Sequence, residues 1–146
     1  MRAEWSKLIS ELEPKATFHP PASAEALQRL ETFFSIRLPD DLRSILEQSD
    51  GVEGEYELGL VWSSGRIIKD NETFRTYPEF RRLYMPFDPL LFFGDAGNGD
   101  QFAFTICAGT VRPDIFVWDH ENDSRTWVAP DLSTYLTWWL SGKLTV

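Results

Sequence analysis

LLFFGDAGNGDQFAF, residues 90 to 104, is the stretch on which the fold turns. Three glycines, two aspartates and an asparagine stand between two runs of large apolar side chains. Glycines beside carboxylates are found in phosphate cradles, in cation loops and in turns between strands. The dinucleotide pattern G-x-G-x-x-G begins at Gly97-Asn98-Gly99 but meets Phe102 where the last glycine belongs. The P-loop lysine and its following hydroxyl are missing, and Asp95 and Asp100 would repel phosphate. A calcium loop fails too, because Gly97 offers no side-chain oxygen at an alternate ligand position and no glutamate closes the loop. What remains is a turn. Asn98-Gly99 predicts a type I′ turn, in which both residues take positive φ. Leu90 to Phe93 leads in, and Gln101 to Ile106 leads out with Phe102, Phe104 and Ile106 alternating toward one side.

Working outward, Ile115 to Trp118 and Arg125 to Val128 read as two further strands. Pro130-Asp131 then opens a helix carrying Leu132, Tyr135, Leu136, Trp139 and Leu140 on one face, and Gly142 ends it. Upstream, Tyr56, Leu58, Leu60 and Trp62 alternate, Ser63-Ser64-Gly65 is expected to turn, and Arg66-Ile67-Ile68 to return as the second strand of a hairpin. Residues 71 to 84 stay ambiguous, because Pro78 interrupts a helix-compatible run. Three helices are predicted before this region. The first covers residues 2 to 12, with Trp5, Leu8, Ile9 and Leu12 on one face. Ser23 caps the second, which carries Leu27, Leu30 and Phe34. The third opens at Leu38-Pro39-Asp40-Asp41, with Pro39 in the first helical position and both carboxylates at the positive end of the dipole, and closes at Asp50-Gly51. Helices, then a meander of strands, then a helix predict an α+β fold. A central, mostly antiparallel sheet is flanked by N-terminal helices and a C-terminal helix, in a single domain over residues 1–146.

Six tryptophans, eleven phenylalanines and an apolar fraction of 42% give the chain material for a core without a disulfide or structural metal. Charges scattered through the first eighteen residues argue against a secretory signal, and no run approaches the ~20 apolar residues of a membrane span. Cys107 has no partner and is expected to be a buried structural thiol. A cytoplasmic protein is the expectation.

The net charge of −9 disfavours direct binding of nucleic acid or anionic lipid. Acids are concentrated in two segments: Asp40 to Glu57 holds seven against Arg43, and Asp95 to Asp123 holds six against Arg112. Such segments suit ordinary solvated surface, and they equally suit a negative face that steers a basic partner. Catalytic signals are weak. No G-x-S-x-G elbow is present, His19 and His120 belong to no metal-ligand pattern, and acidic pairs alone say little without geometry. The candidate partner-binding residues are Asp50, Glu53, Glu55, Glu57, Trp62, Asp95, Asn98, Asp100, Asp119 and Glu121. Asp95, Asp100, Asp119 and His120 form the alternative, a small-ligand or hydrolase site. No cofactor, metal or catalytic residue is assigned.

Four pieces occur in order: Leu38-Pro39-Asp40-Asp41 to Ser49-Asp50-Gly51-Val52; Trp62 to Ile67, Ile68 and Asn71; Phe92 to Phe102; and Val117-Trp118-Asp119-His120-Glu121 with Trp127. Together they resemble the SUKH superfamily, the Smi/Knr-type domain, over about residues 23 to 141. Ser49 stands where that family often has asparagine. The resemblance implies a non-catalytic protein-binding module of α+β fold. Bacterial members typically act as immunity proteins that bind and neutralise polymorphic toxin domains, many of them nucleases, and fungal relatives regulate cell-wall synthesis and signalling. A regulatory scaffold that binds a host partner is the alternative. The absence of targeting signals favours the bacterial type, and so a cognate, basic toxin domain as partner.

Overall fold

The computed structural model describes residues 4–146 and has an α+β fold. The chain runs α1 (Trp5–Leu12), β1 (Thr17–Phe18), α2 (Ala24–Phe34), α3 (Asp40–Gln48), β2 (Val52–Glu53), a 3-10 turn (Glu55–Glu57) and β3 (Gly59–Val61). It continues through α4 (Ser64–Thr76), α5 (Pro78–Leu83), β4 (Leu90–Asp95), β5 (Gln101–Cys107), β6 (Thr110–Trp118), β7 (Arg125–Ala129) and α6 (Leu132–Ser141). Residues 2 and 3 of the predicted first helix lie outside the described residues.

Apolar spacing and caps account for the early helices. In α1, Trp5 and Ile9 are buried one turn apart, and the Trp5 indole N–H donates to Ser44 Oγ of α3 at 2.9 Å. Ser23 caps α2 by accepting from Ala26 N at 3.1 Å. Pro39 sits one place earlier than its sequence suggests. Its carbonyl accepts the first helical bond, from Arg43 N, so α3 begins at Asp40 with both acids in its first turn.

The strands form two antiparallel sheets rather than one. Three short strands take the order β1-β2-β3, and four longer ones the order β4-β5-β6-β7. Trp62 N donates to Phe93 O at 2.7 Å and joins the two. Gly94 lies at this junction because nothing larger fits. A Cβ there would stand 2.8 Å from Leu60 O and 3.2 Å from Tyr135 Oη. The Tyr135 hydroxyl itself donates to Leu60 O at 3.1 Å, which ties α6 to the small sheet. Leu91, Phe92, Phe93, Phe102 and Phe104 then fill a core shared with Ile9, Leu30, Ile45, Leu132 and Leu136.

The expected hairpin over residues 56 to 68 is not formed. Ser63-Ser64-Gly65 is the start of a helix, not a turn between strands. The Ser63 side chain accepts from Arg66 N at 3.2 Å, and the Asp50 carboxylate accepts from Ser64 N at 2.7 Å and from Ser64 Oγ at 3.1 Å. With those orphan donors satisfied, Ile67 and Asn71, four residues apart, turn into the core as one helical face. Pro78 then opens α5 at its first position, which resolves the ambiguous stretch. Asn71 completes the join to the sheet. Its amide accepts from Phe92 N and donates to Phe92 O, both at 2.9 Å, and donates to Ile67 O at 2.7 Å.

Candidate functional site

The glycine-rich segment is a five-residue loop, not a type I′ turn. Gly97 and Gly99 have φ of 93° and 98°, while Asn98 stays out of the left-handed region and accepts from Asp100 N through its side chain at 3.0 Å. Ala96 N donates to Asp100 O at 3.0 Å to close the loop. Cys107 lies at the end of β5 and is exposed, contrary to the expected buried thiol, because β5 runs past the covered part of the sheet.

A groove of about 460 Å³ opens beside this loop, among the small sheet and the start of α4. Asp50, Glu53, Glu57, Trp62 and Arg66 line it, together with His19 and Gly59. The fold thus brings together four of the predicted partner-binding residues: Asp50 from the end of α3, Glu53 from β2, Glu57 from the 3-10 turn and Trp62 after β3. Glu55 faces outward and pairs with Lys15 at 2.9 Å.

Each groove side chain has a distinct state. Both Glu53 oxygens lie 2.7 and 2.9 Å from His19 Nε2. Asp50 is occupied in capping α4. Trp62 is 2% exposed, so it belongs to the groove wall and not to a solvent-facing rim. The Arg66 guanidinium lies 4.2 Å from the Trp62 ring centroid. It donates twice to Asp95, both at 2.9 Å, and once to Asp70 at 2.9 Å. Burial alone would lower the Arg66 pKa, but its bonds to Asp95 and Asp70 outweigh that and raise it. Asp95 is therefore held inward by a fork-to-fork pair and cannot act as a free rim acid. Gly59 makes the pair possible: a Cβ there would stand 2.7 Å from Asp95 Oδ2 and 2.9 Å from Trp62 Cδ1.

A second cluster lies around the glycine loop. Leu58 reaches within 3.4 Å of a Cβ position at Gly97, and a Cβ at Gly99 would stand 2.9 Å from the His120 ring. Asp100, 8% exposed, accepts from His120 N at 3.1 Å and from Nδ1 at 2.6 Å. This bond, with the nearby Asp119 and Glu121 charges, raises the His120 pKa against a smaller opposing effect of burial. Asp119 accepts from Glu121 N at 2.8 Å, and Glu121 points to solvent. Ligand atoms of Asp100, Asp119 and His120 lie within 4.8 Å of one another, a spacing open to a hard cation. In the described geometry one imidazole nitrogen instead donates to Asp100. Asp95 stays outside this trio, so the four residues of the alternative ligand site do not form a single set.

The family model for the SMI1 / KNR4 family (SUKH-1) matches residues 21–138. The chain belongs to that family. No curated protein matches it. The SUKH-1 match spans every element from α2 to most of α6, and so contains the groove apart from His19, the glycine loop and the His120 turn. Two groove residues escaped the sequence reading. The alternating pattern assigns Arg66 to a strand, whereas the Ser63 cap places it in α4, facing Asp95. His19 sits in a Pro-rich connection, and nothing local marks its pairing with Glu53. A further cavity, of about 630 Å³, holds none of the predicted site residues. It lies between the start of α3 and the β5–β6 hairpin, lined by Arg37, Asp40, Asp41 and Val111 among others.

Proposed function

We propose that the protein is a non-catalytic binding module that captures a basic protein partner, and that it serves in the cytoplasm as an immunity protein against a cognate polymorphic toxin domain. The observation that carries this reading is the convergence of Asp50, Glu53 and Glu57 on one groove, with Glu57 open to solvent. Family membership supports a protein partner, and the net charge of −9 supports a basic one. A nuclease toxin exposes a cationic groove for phosphate, and carboxylates on a rigid surface can fill it. Steering by such a field raises association rates by ~10–10³ over an unsteered encounter. An inhibitor that must act before the toxin does gains most from that term.

The test is co-expression with the toxin-like domain encoded in the adjacent reading frame. Co-purification is expected, with an association rate that falls as salt rises and falls again on neutralising Glu53, Glu55 and Glu57. An on-rate indifferent to salt removes the electrostatic part. Recovery of a housekeeping partner in place of a toxin points to the regulatory role known for fungal members.

A further inference from the structure

Three features of the groove are unexplained by its internal bonding. The first is Trp62, whose indole N–H is buried and has no acceptor. Leaving such a donor unpaired is unfavourable, and native folds rarely tolerate it without a reason. The indole edge that carries Nε1 begins at Cδ1, beside Gly59, and both residues line the groove. Because Trp62 forms part of the groove wall, the groove is a route by which a partner's acceptor can approach this N–H. The second is the backbone of Tyr56 and Glu57, with φ of 59° and 60°. Two consecutive left-handed residues that are not glycine are strained, and strain of this kind collects where a binding surface is being shaped. The third is what that strain presents. Tyr56 is 93% exposed, and the Glu57 carboxylate has no hydrogen bond or ion pair among the described residues.

We infer that this groove is the anchoring site for one cationic residue of the partner, an arginine or lysine whose side chain meets Glu57 and Tyr56 and whose own backbone carbonyl accepts from Trp62 Nε1. The inference rests on the partner-binding reading above and names the chemistry the groove selects. A metal ion satisfies the carboxylates but offers no acceptor to the indole. A polyamine fails for the same reason. Phosphate supplies acceptors but is repelled by Asp50, Glu53 and Glu57. A peptide residue carries both functions at a fixed separation. The Tyr56 ring adds an electron-rich face for the cation, and a nearly fully exposed tyrosine of this kind is a common anchor of protein interfaces. Arg66 does not block the site electrostatically, because Asp95 and Asp70 hold its charge.

The experiment is an NMR titration of the full chain with three small probes. N-acetyl-arginine methylamide is expected to shift the Trp62 indole N–H together with the Tyr56 and Glu57 amides. N-acetyl-citrulline methylamide keeps the shape and carbonyl but lacks the charge, and should bind up to about fivefold more weakly, the scale of one exposed ion pair. Agmatine keeps the cation but lacks the carbonyl, and should move Glu57 while leaving the indole unchanged. Glu57→Gln, an exposed substitution outside the core, should reduce the arginine probe's affinity by a similar factor. A Trp62 indole signal unmoved by the arginine probe, or equal binding of the citrulline probe, overturns the inference whether or not a toxin is ever captured. If the arginine probe binds as expected and no toxin co-purifies, the anchoring site stands and the immunity reading falls.

Discussion

Replacing Gly94 by alanine tests the junction that carries the groove. The added Cβ would lie 2.8 Å from Leu60 O, a backbone atom that cannot swing aside, and 3.2 Å from Tyr135 Oη. Two penalties follow. Overpacking against a rigid neighbour costs about 1–3 kcal/mol. Displacing the buried Tyr135 hydroxyl from Leu60 O adds about 1 kcal/mol for the lost bond. The sum, about 3 kcal/mol, corresponds to a fall in Tm of roughly 6–12 °C for a chain of this size. Urea unfolding followed by tryptophan fluorescence measures it directly, with an unchanged m-value as the sign that stability alone has moved. Tyr135→Phe on its own should lose about 1 kcal/mol, and little more once alanine already occupies position 94, because both changes break one contact. Gly65→Ala is the control. Its Cβ meets nothing within 4 Å, and in α4 it should stabilise by up to about 1 kcal/mol. If Gly94→Ala loses less than about 0.5 kcal/mol, the two sheets are not as tightly joined as described.

Asn71→Ala should be as damaging as a large core truncation, at about 3 kcal/mol, because it strands the buried N–H and C=O of Phe92; thermal unfolding measures the loss. His120 gives a pH signature. Its folded pKa is raised by Asp100, with Asp119 and Glu121 adding to it, so its contribution is full below the unfolded value near ~6.5 and disappears as pH rises through the folded value. The Tm difference between wild type and His120→Gln should therefore be larger at about pH 5.5 than at about pH 8.5. A difference that grows toward alkaline pH contradicts the assignment.

The part of the fold legible in the sequence is the part governed by local chemistry. The caps at Ser23 and Asp131, the strands from Leu90 onward and the helical faces of α2 and α6 follow from spacing and from residue types with one strong preference. Residues 56 to 68 misled because their alternation is genuine over Leu58 and Leu60, while Ser63 and Ser64 serve a helix start as readily as a turn. Only Asp50, fourteen residues upstream of Ser64, decides between them. The site shows the same division. The acids of the groove were visible as a cluster in sequence, but their fates were not. Asp95 and Asp100 became internal acceptors, and Glu57 remained free because the backbone turns it outward. Arg66 finds Asp70 four residues along its helix, but which acids of the site meet a base is a property of tertiary approach: Asp95 is 29 residues from Arg66, and Asp100 is 20 from His120.

The Asn71 bridge has a consequence for how copies of this protein can meet. Exposed strand edges invite further strands, and a sheet open on both sides can grow without limit. Here the outer edge of β4 is already closed, by the Asn71 amide at Phe92 and by the Trp62 N–H at Phe93. Within the four-stranded sheet, that leaves β7 as the open edge among the described residues, and Trp127 on it is half exposed. Strand addition there joins two sheets edge to edge and then stops, since neither copy has a second edge of that sheet to offer. Edge-to-edge addition through the four-stranded sheet is thus limited to a single event per copy.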